Sequence, residues 1–193
     1  AGRIVVGDND GMLSAWSYPD HEFLWTFETD GAIKGPIATD DGGAFFGSWD
    51  ERIYRVSLDD GSEVWSVDTG ANVMAGPSVD PDTGTVYVGD QHESLYALDA
   101  ERGIEQWETG VGGWIIGCPT VTAAHVLVGS YAPKLVAVDR ETSEVVWTVD
   151  GEGEMTGTPL VTDDAVYTTE RASQAHIDGN DGPTGALYRI VAA

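Results

Sequence analysis

The chain has 193 residues, with 33 Asp and Glu against 9 Lys and Arg, for a formal net charge of −24 and a pI near 4.1. A field this negative excludes nucleic acid and direct insertion into anionic membrane, because phosphate contacts need Lys and Arg, and only Lys34 and Lys134 are lysines. The acids are spread along a chain that is 41% hydrophobic and has seven Trp, which excludes a disordered acidic tail. The composition reads as a folded, carboxylate-covered domain suited to a salt-rich medium that screens self-repulsion, with a cation-buffering acidic protein as the alternative.

Short β-type segments follow one another from the N-terminus, separated by Gly, Asp, Asn and Pro turns. The first are "IVVG" (4–7) and "LSAW" (13–16), followed by a segment centred on Trp25. Pro36 then opens a second series of "AFFG" (44–47), "IYRV" (53–56) and Trp65; Pro77 opens "VYVG" (86–89), "LYAL" (95–98) and Trp107. Pro119 opens "VLVG" (126–129), "LVAV" (135–138) and Trp147, and Pro159 opens "VYTT" (166–169) and "LYRI" (187–190). The Trp spacings are 40, 42 and 40 residues and the Pro spacings 41, 42 and 40. Gly7, Gly47, Gly89 and Gly129 keep the same phase, and Thr169 stands where a fifth Gly belongs.

Four strands per forty residues, repeated, predict an all-β chain built as a β-propeller of four-stranded antiparallel blades, about 4.8 repeats long. The expected division is a partial blade 1–30, blades 31–69, 70–111 and 112–151, and a partial terminal blade 152–193. Trp25, Trp65, Trp107 and Trp147 are expected to pack between blades, each removing roughly 150–250 Å² from water. Each Pro is expected to open an innermost strand. The extended segment 171–186 reads as an atypical terminal repeat. The uncharged stretch 109–133 is broken by glycines, Pro119, Pro133 and His125, and is expected to form two buried strands joined by a turn instead of a membrane span. Cys118, the one cysteine, excludes an internal disulfide and is expected to be a small buried hydrophobe. No signal peptide is visible, although a start at "AGRIVV" without Met is compatible with removal of an upstream segment.

"ALDAERGIEQW" (97–107) and "AVDRETSEVVW" (137–147) resemble the tryptophan-docking motif A-x-D-x-x-T-G-x-x-x-W of pyrroloquinoline quinone (PQQ)-type propellers. Arg102 stands at the Thr position of the first, and Ser143 at the Gly position of the second. The copies ending at Trp65 and Trp25 keep the length, with Ser57 and Ser17 in place of Asp. The resemblance covers about residues 4–191, and the acidic composition points to a haloarchaeal member. It implies closure by seven or eight blades, so the chain is expected to be part of a larger propeller or to need a second copy; a closed five-bladed monomer is the alternative.

The resemblance also implies two functions. In quinoprotein dehydrogenases PQQ lies at the propeller axis, Ca²⁺ is held by Glu, Asn and Asp, and paired cysteines cover the quinone. The residues expected nearest the axis are Ala32, Asn72, Trp114 and Glu154; Asn72 and Glu154 are candidate Ca²⁺ ligands and Trp114 a candidate ring stacker, against the reading that they are variable loop residues. A single cysteine excludes the cover. The other implied function is a non-catalytic interaction or scaffold module, as in the propeller lipoprotein of the bacterial outer-membrane assembly machinery. That reading is preferred: no cofactor, catalytic residue or metal site is expected, and the partner is a protein or a second propeller segment.

Its candidate contacts are Trp49 and Tyr131, at turns whose other copies hold Asn9 and His92; packing of each ring on its own blade is the alternative. An extracytoplasmic or cell-surface location is expected, with a salt-adapted cytoplasm as the alternative. The stretches "GDNDG" (7–11) and "DGNDG" (178–182) fit tight turns better than Ca²⁺ loops, and His21, His92, His125 and His176 form no spaced ligand set.

Overall fold

The computed structural model describes residues 2–171 and 185–191, so the segment 178–182, His176 and most of 171–186 lie outside the described residues. Eighteen antiparallel strands form five sheets, and no helix occurs among the described residues. Sheet 1 holds β1 (Gly2–Gly7), β2 (Met12–Tyr18) and β3 (Phe23–Glu28); sheet 2 holds β4 (Ala38–Thr39), β5 (Gly43–Gly47), β6 (Arg52–Ser57) and β7 (Glu63–Asp68). Sheet 3 holds β8 (Ser78–Asp80), β9 (Thr85–Gly89), β10 (Ser94–Asp99) and β11 (Glu105–Gly110). Sheet 4 holds β12 (Thr120–Val121), β13 (His125–Ser130), β14 (Lys134–Asp139) and β15 (Val145–Asp150). Sheet 5 holds β16 (Leu160–Val161), β17 (Val166–Glu170) and β18 (Ala186–Ile190). Each sheet is a meander, and the short strands β4, β8 and β12 converge across neighbouring sheets, as inner propeller strands do.

Four apolar layers lie between consecutive sheets. Leu13, Ala15 and Trp25 of sheet 1 pack on Phe46, Tyr54 and Val56 of sheet 2. Phe45, Ile53 and Trp65 meet Val86, Val88, Tyr96 and Leu98 of sheet 3. Tyr87, Leu95 and Ala97 meet Val126, Val128, Val136 and Val138 of sheet 4, and Leu127, Leu135 and Ala137 meet Val166, Tyr188 and Ile190 of sheet 5. The strand alternation is thus apolar on both faces, as a sheet sandwiched between two others requires.

The Trp strands follow a β-bulge, where the register shifts at Ala15/Trp16, Arg55/Val56, Ala97/Leu98 and Ala137/Val138. The bulge turns the indole toward the next sheet. Trp25 Nε1 donates to the Leu58 carbonyl (3.0 Å), Trp65 Nε1 to Ala100 (3.0 Å) and Trp107 Nε1 to Arg140 (3.1 Å), each acceptor lying one sheet further on. Below each acceptor is a tight turn. Gly61 (φ +74°) and Gly103 (φ +69°) adopt the left-handed conformation there, and a Cβ on either would come within 2.7 Å of the indole. Ser143 holds the same conformation (φ 61°) beneath Trp107. The Asp of the motif shapes this turn: Asp99 Oδ1 accepts from the Glu101 and Arg102 amides, and Asp139 Oδ1 from Glu141 and Thr142. Ser57 Oγ accepts from the Asp59 amide in place of one of these bonds, and Ser17 Oγ accepts from the Glu22 amide across its turn. Trp147 instead borders a cavity of about 560 Å³ lined by residues including Thr162, Val166 and Ile190.

The repeated Gly serves a different need. A Cβ on Gly7, Gly47 or Gly89 would sit 2.4, 2.2 or 2.4 Å from the side chain of Ile33, Val73 or Ile115 in the following sheet, and one on Gly129 would strike the Met155 carbonyl. The amides of Ile33, Val73, Ile115 and Met155 donate to the carbonyls of Asp8, Ser48, Asp90 and Ser130, the residues after each Gly. Glycine is therefore required by close approach of the next sheet.

Two expectations are corrected. The stretch 109–133 comprises the end of β11, a loop, the half-buried two-residue β12 and the buried β13, because the strand that opens each of sheets 2 to 5 is short. Cys118 is half-buried, since it lies in the bend before β12; its sulfur faces the bare Cα of Gly76 in sheet 3.

Gly89→Ala should lower stability by roughly 1–3 kcal/mol through overpacking against Ile115, whereas Ser143→Gly should raise it by about 1 kcal/mol, or roughly 2–4 °C in Tm, by relieving the left-handed strain. Thermal melts of the two variants beside the parent check both signs.

Candidate interaction site

The loops before β4, β8, β12 and β16 and the turns after β5, β9, β13 and β17 form one row of paired residues. In each, the backbone N–H of the turn residue donates to a loop carbonyl: Trp49 to Ala32, Gln91 to Asn72, Tyr131 to Trp114 and Arg171 to Glu154, at 2.8–3.0 Å. Ala32 and Trp114 thus stand directly against the turns that carry Trp49 and Tyr131, and Asn72 and Glu154 against the equivalent turns at Gln91 and Arg171. Two groups of residues that appear distinct in sequence form a single surface. His92, grouped with Trp49 and Tyr131 by sequence, lies one residue outside this register, because Gly89-Asp90-Gln91 counts as Gly47-Ser48-Trp49 does. Gln91 takes its place, and Arg171 joins the row; the shared backbone bond is the signal that identifies both.

Buried polar groups fix the turns from below. Ser48, Asp90 and Ser130 are fully buried and Glu170 nearly so. Ser48 Oγ donates to the Gly31 carbonyl (3.0 Å) and Ser130 Oγ to Ala132 (2.9 Å). Asp90 Oδ1 accepts from the His92 and Ser94 amides, both at 2.8 Å, and its Oδ2 from the Tyr96 hydroxyl at 3.2 Å. Glu170 Oε2 accepts from the Glu152 amide (2.8 Å) and the Tyr188 hydroxyl (2.7 Å). Tyr54 donates likewise to Asp50 Oδ2 (2.7 Å). Burial and the adjacent carboxylates push the Tyr54 and Tyr96 hydroxyls well above the ordinary phenol range, so both are donors at any working pH. Burial raises the Asp90 carboxyl despite the three hydrogen bonds that oppose it. Hydrogen bonding by Tyr188 lowers that of Glu170.

The outer surface of the row is aromatic and charged. Lys34 Nζ lies 3.4 Å from the Trp49 ring centroid. Trp114 and Tyr131 meet at 5.4 Å between centroids with planes tilted by 47°. Arg171 lies over Tyr131 at 5.2 Å, donates from Nη2 to its hydroxyl (2.8 Å) and pairs with Glu154. Trp114 remains 46% exposed and Trp49 37%. Both rings therefore pack partly on neighbours of the row while presenting a face to solvent.

Ca²⁺ takes six to eight oxygens, yet the Glu154 carboxylate is already engaged by Arg171, and no cluster of three His, Cys, Asp or Glu able to hold a cation occurs among the described residues. In "GDNDG", Asp8 Oδ1 accepts from the Asp10 and Met12 amides, both at 2.9 Å, and Gly11 takes φ +85°, the conformation of a tight turn. No helix among the described residues is long and apolar enough to cross a membrane.

A family model described as outer membrane protein assembly factor BamB matches residues 1–113, 49–130 and 112–185. No curated protein sequence matches the chain. Among solved structures, BamB from Moraxella catarrhalis superposes with a TM-score of 0.75 at 21% identity, covering 86% of this chain and 54% of that one. The computationally designed Ika8 protein gives a TM-score of 0.78 at 18% identity, covering 98% and 56%. The chain spans just over half the length of either, and at these identities the likeness establishes the fold.

Because Asp90 has a raised carboxyl in the folded state, the stability it contributes is present below the ordinary carboxylate range and lost as pH rises through its raised value. In Asp90→Asn the Oδ1 can still accept from the two amides, and the new Nδ2 can donate to Tyr96. Denaturant titrations from the carboxylate range to neutrality should show the variant gaining on the parent as pH rises.

Proposed function

Since the chain belongs to the BamB family of PQQ-type repeat propellers, we propose that it is a non-catalytic interaction or scaffold module that engages a protein partner through the row from Trp49 to Arg171. The observation that carries this reading is the pair of exposed indoles, Trp49 and Trp114, held on rigidly bonded turns. Exposed aromatics on a fixed frame are the usual anchors of a protein contact, since they bury large areas with little loss of side-chain entropy. The family description names a factor in outer membrane protein assembly, which supports a protein partner and an extracytoplasmic or surface location; a salt-adapted cytoplasm is the alternative. The net charge of −24 supports a salt-rich setting.

The double substitution Trp49→Ala with Trp114→Ala should leave Tm within a few degrees, because both rings are substantially exposed. It should reduce recovery of the partner from the source cell at least about tenfold relative to the parent, as loss of a hot spot does. The competing reading, a quinone-binding fragment using Asn72, Trp114 and Glu154, predicts saturable micromolar binding of PQQ with Ca²⁺ in molar KCl. The interaction reading predicts none, by Trp fluorescence and quinone absorbance.

A further partner is supported by the terminal sheets. Leu187 of sheet 5 is 70% exposed, while its counterparts Leu95 and Leu135 are fully buried against a following sheet. On the outer face of sheet 1, Val6 is 48% exposed where Val88 is fully buried. The turn at Ser17–Glu22 repeats the docking-turn hydrogen bonds (Ser17 N–H to the Glu22 carbonyl, His21 N–H to Ser17), with His21 at φ 57°, and accepts no indole N–H from the described residues. These faces suit a further propeller segment of the same repeat type. The 193-residue chain should therefore self-associate through them, and Leu187→Glu should weaken the association. A monomer at every concentration in light scattering would refute it.

A further inference from the structure

We propose that the open face of Trp114 is a subsite for a cationic side chain, Lys or Arg, carried by a protein partner; this rests on the interaction reading above and specifies its chemistry. Charges and rings alternate along this end of the row. Glu154 pairs with Arg171, Arg171 lies over Tyr131, and Tyr131 packs on Trp114. Beyond lies a hollow of about 270 Å³ lined by Trp114, Tyr131, Glu93, Gly112, Gly113 and Ala132. One end therefore holds carboxylate, cation and ring in sequence. The other holds ring and carboxylate, with an open hollow beside them.

The chain itself shows what such rings accept. At the equivalent turn of sheet 2, Lys34 Nζ lies 3.4 Å from the centroid of Trp49, and at that of sheet 4 Arg171 covers Tyr131. Trp offers the strongest of the aromatic faces to a cation, and Trp114 is the more exposed of the two indoles in the row, at 46%. The glycines keep the rim low: a Cβ on Gly112 (φ +78°) would meet nothing within 4 Å. The volume falls just below the ~300–1,000 Å³ of small-molecule pockets and suits one side chain. The surrounding field selects the sign of the guest, because a chain with 33 acids and 9 bases attracts cations and repels anions.

The test uses two capped peptides, glycine throughout except for a central lysine in one and norleucine in the other. Binding is read from the Trp114 indole N–H resonance, assigned by its loss in Trp114→Phe, at moderate ionic strength. The lysine peptide should shift this resonance saturably, and the norleucine peptide should bind at least about tenfold more weakly. Glu93→Gln should weaken the lysine peptide about threefold or more, and so should added KCl. Equal affinity for both peptides would overturn the proposal, showing that the rings dock apolar side chains and sparing the interaction reading. No shift with either peptide would also overturn it; the double substitution at Trp49 and Trp114 then decides separately whether the wider reading survives.

Discussion

The seam between consecutive sheets is the constraint on which everything else rests. A sheet of three or four short strands cannot exclude water alone, so each must be covered on both faces by its neighbours. The seams between sheets 1 and 2, 2 and 3, and 3 and 4 are each fastened at two places, and the seam between sheets 4 and 5 at one. At one end an aliphatic residue (Ile33, Val73 or Ile115) sits on the bare Cα of a glycine one sheet back, while its amide bonds the next carbonyl; Met155 makes the same bond and presses its own carbonyl against Gly129. At the other end an indole donates to a carbonyl one sheet forward, over a turn with a left-handed residue. The period of about forty residues is the distance along the chain from one fastening to its next copy.

The same fastening creates the candidate site. Each anchoring aliphatic is preceded by a residue whose carbonyl is held by a turn amide: Ala32, Asn72, Trp114 and Glu154, of which Trp114 is exposed and the others half-buried. The frame depends on the backbone there, so these side chains can differ without loosening a seam. Scaffold and recognition are separated by one residue. Trp114 can be exposed and rigid at once because its neighbour Ile115 is fully buried.

Charge is distributed by a similar economy. Six of the nine basic residues pair with acids among the described residues. Arg140 shows why: its side chain contacts Asp80 and donates to Tyr87 across the seam, while its own carbonyl takes the Trp107 N–H. The Asp80 carboxyl is driven below its usual range, burial being outweighed by Thr83, the Asp82 amide and Arg140. Arg3 and Arg55 likewise reach the neighbouring sheet, at Asp59 and the Ala100 carbonyl, whereas Arg52 and Arg189 pair within their own sheets.

The repeat, its strands and the positions of the fastenings are legible in the residues alone, because periodic Trp, Gly and apolar tetrads each answer a packing need that recurs from sheet to sheet. Family membership followed from the same residues, through the motifs ending at Trp107 and Trp147. What only the tertiary structure decided is which side chains share a surface. Arg171 follows Tyr131 by one period of forty residues, but Tyr131 and Trp114 are seventeen residues apart; no periodicity joins those two, since their bond is made between a turn and a loop on the far side of a strand pair. His92 lies one residue past the register that counting from Gly89 gives, which is Gln91, and Cys118, among apolar neighbours in sequence, is half-buried before β12. Packing between adjacent sheets is written into local pattern. The surface those sheets present is set by how far the chain travels before it returns.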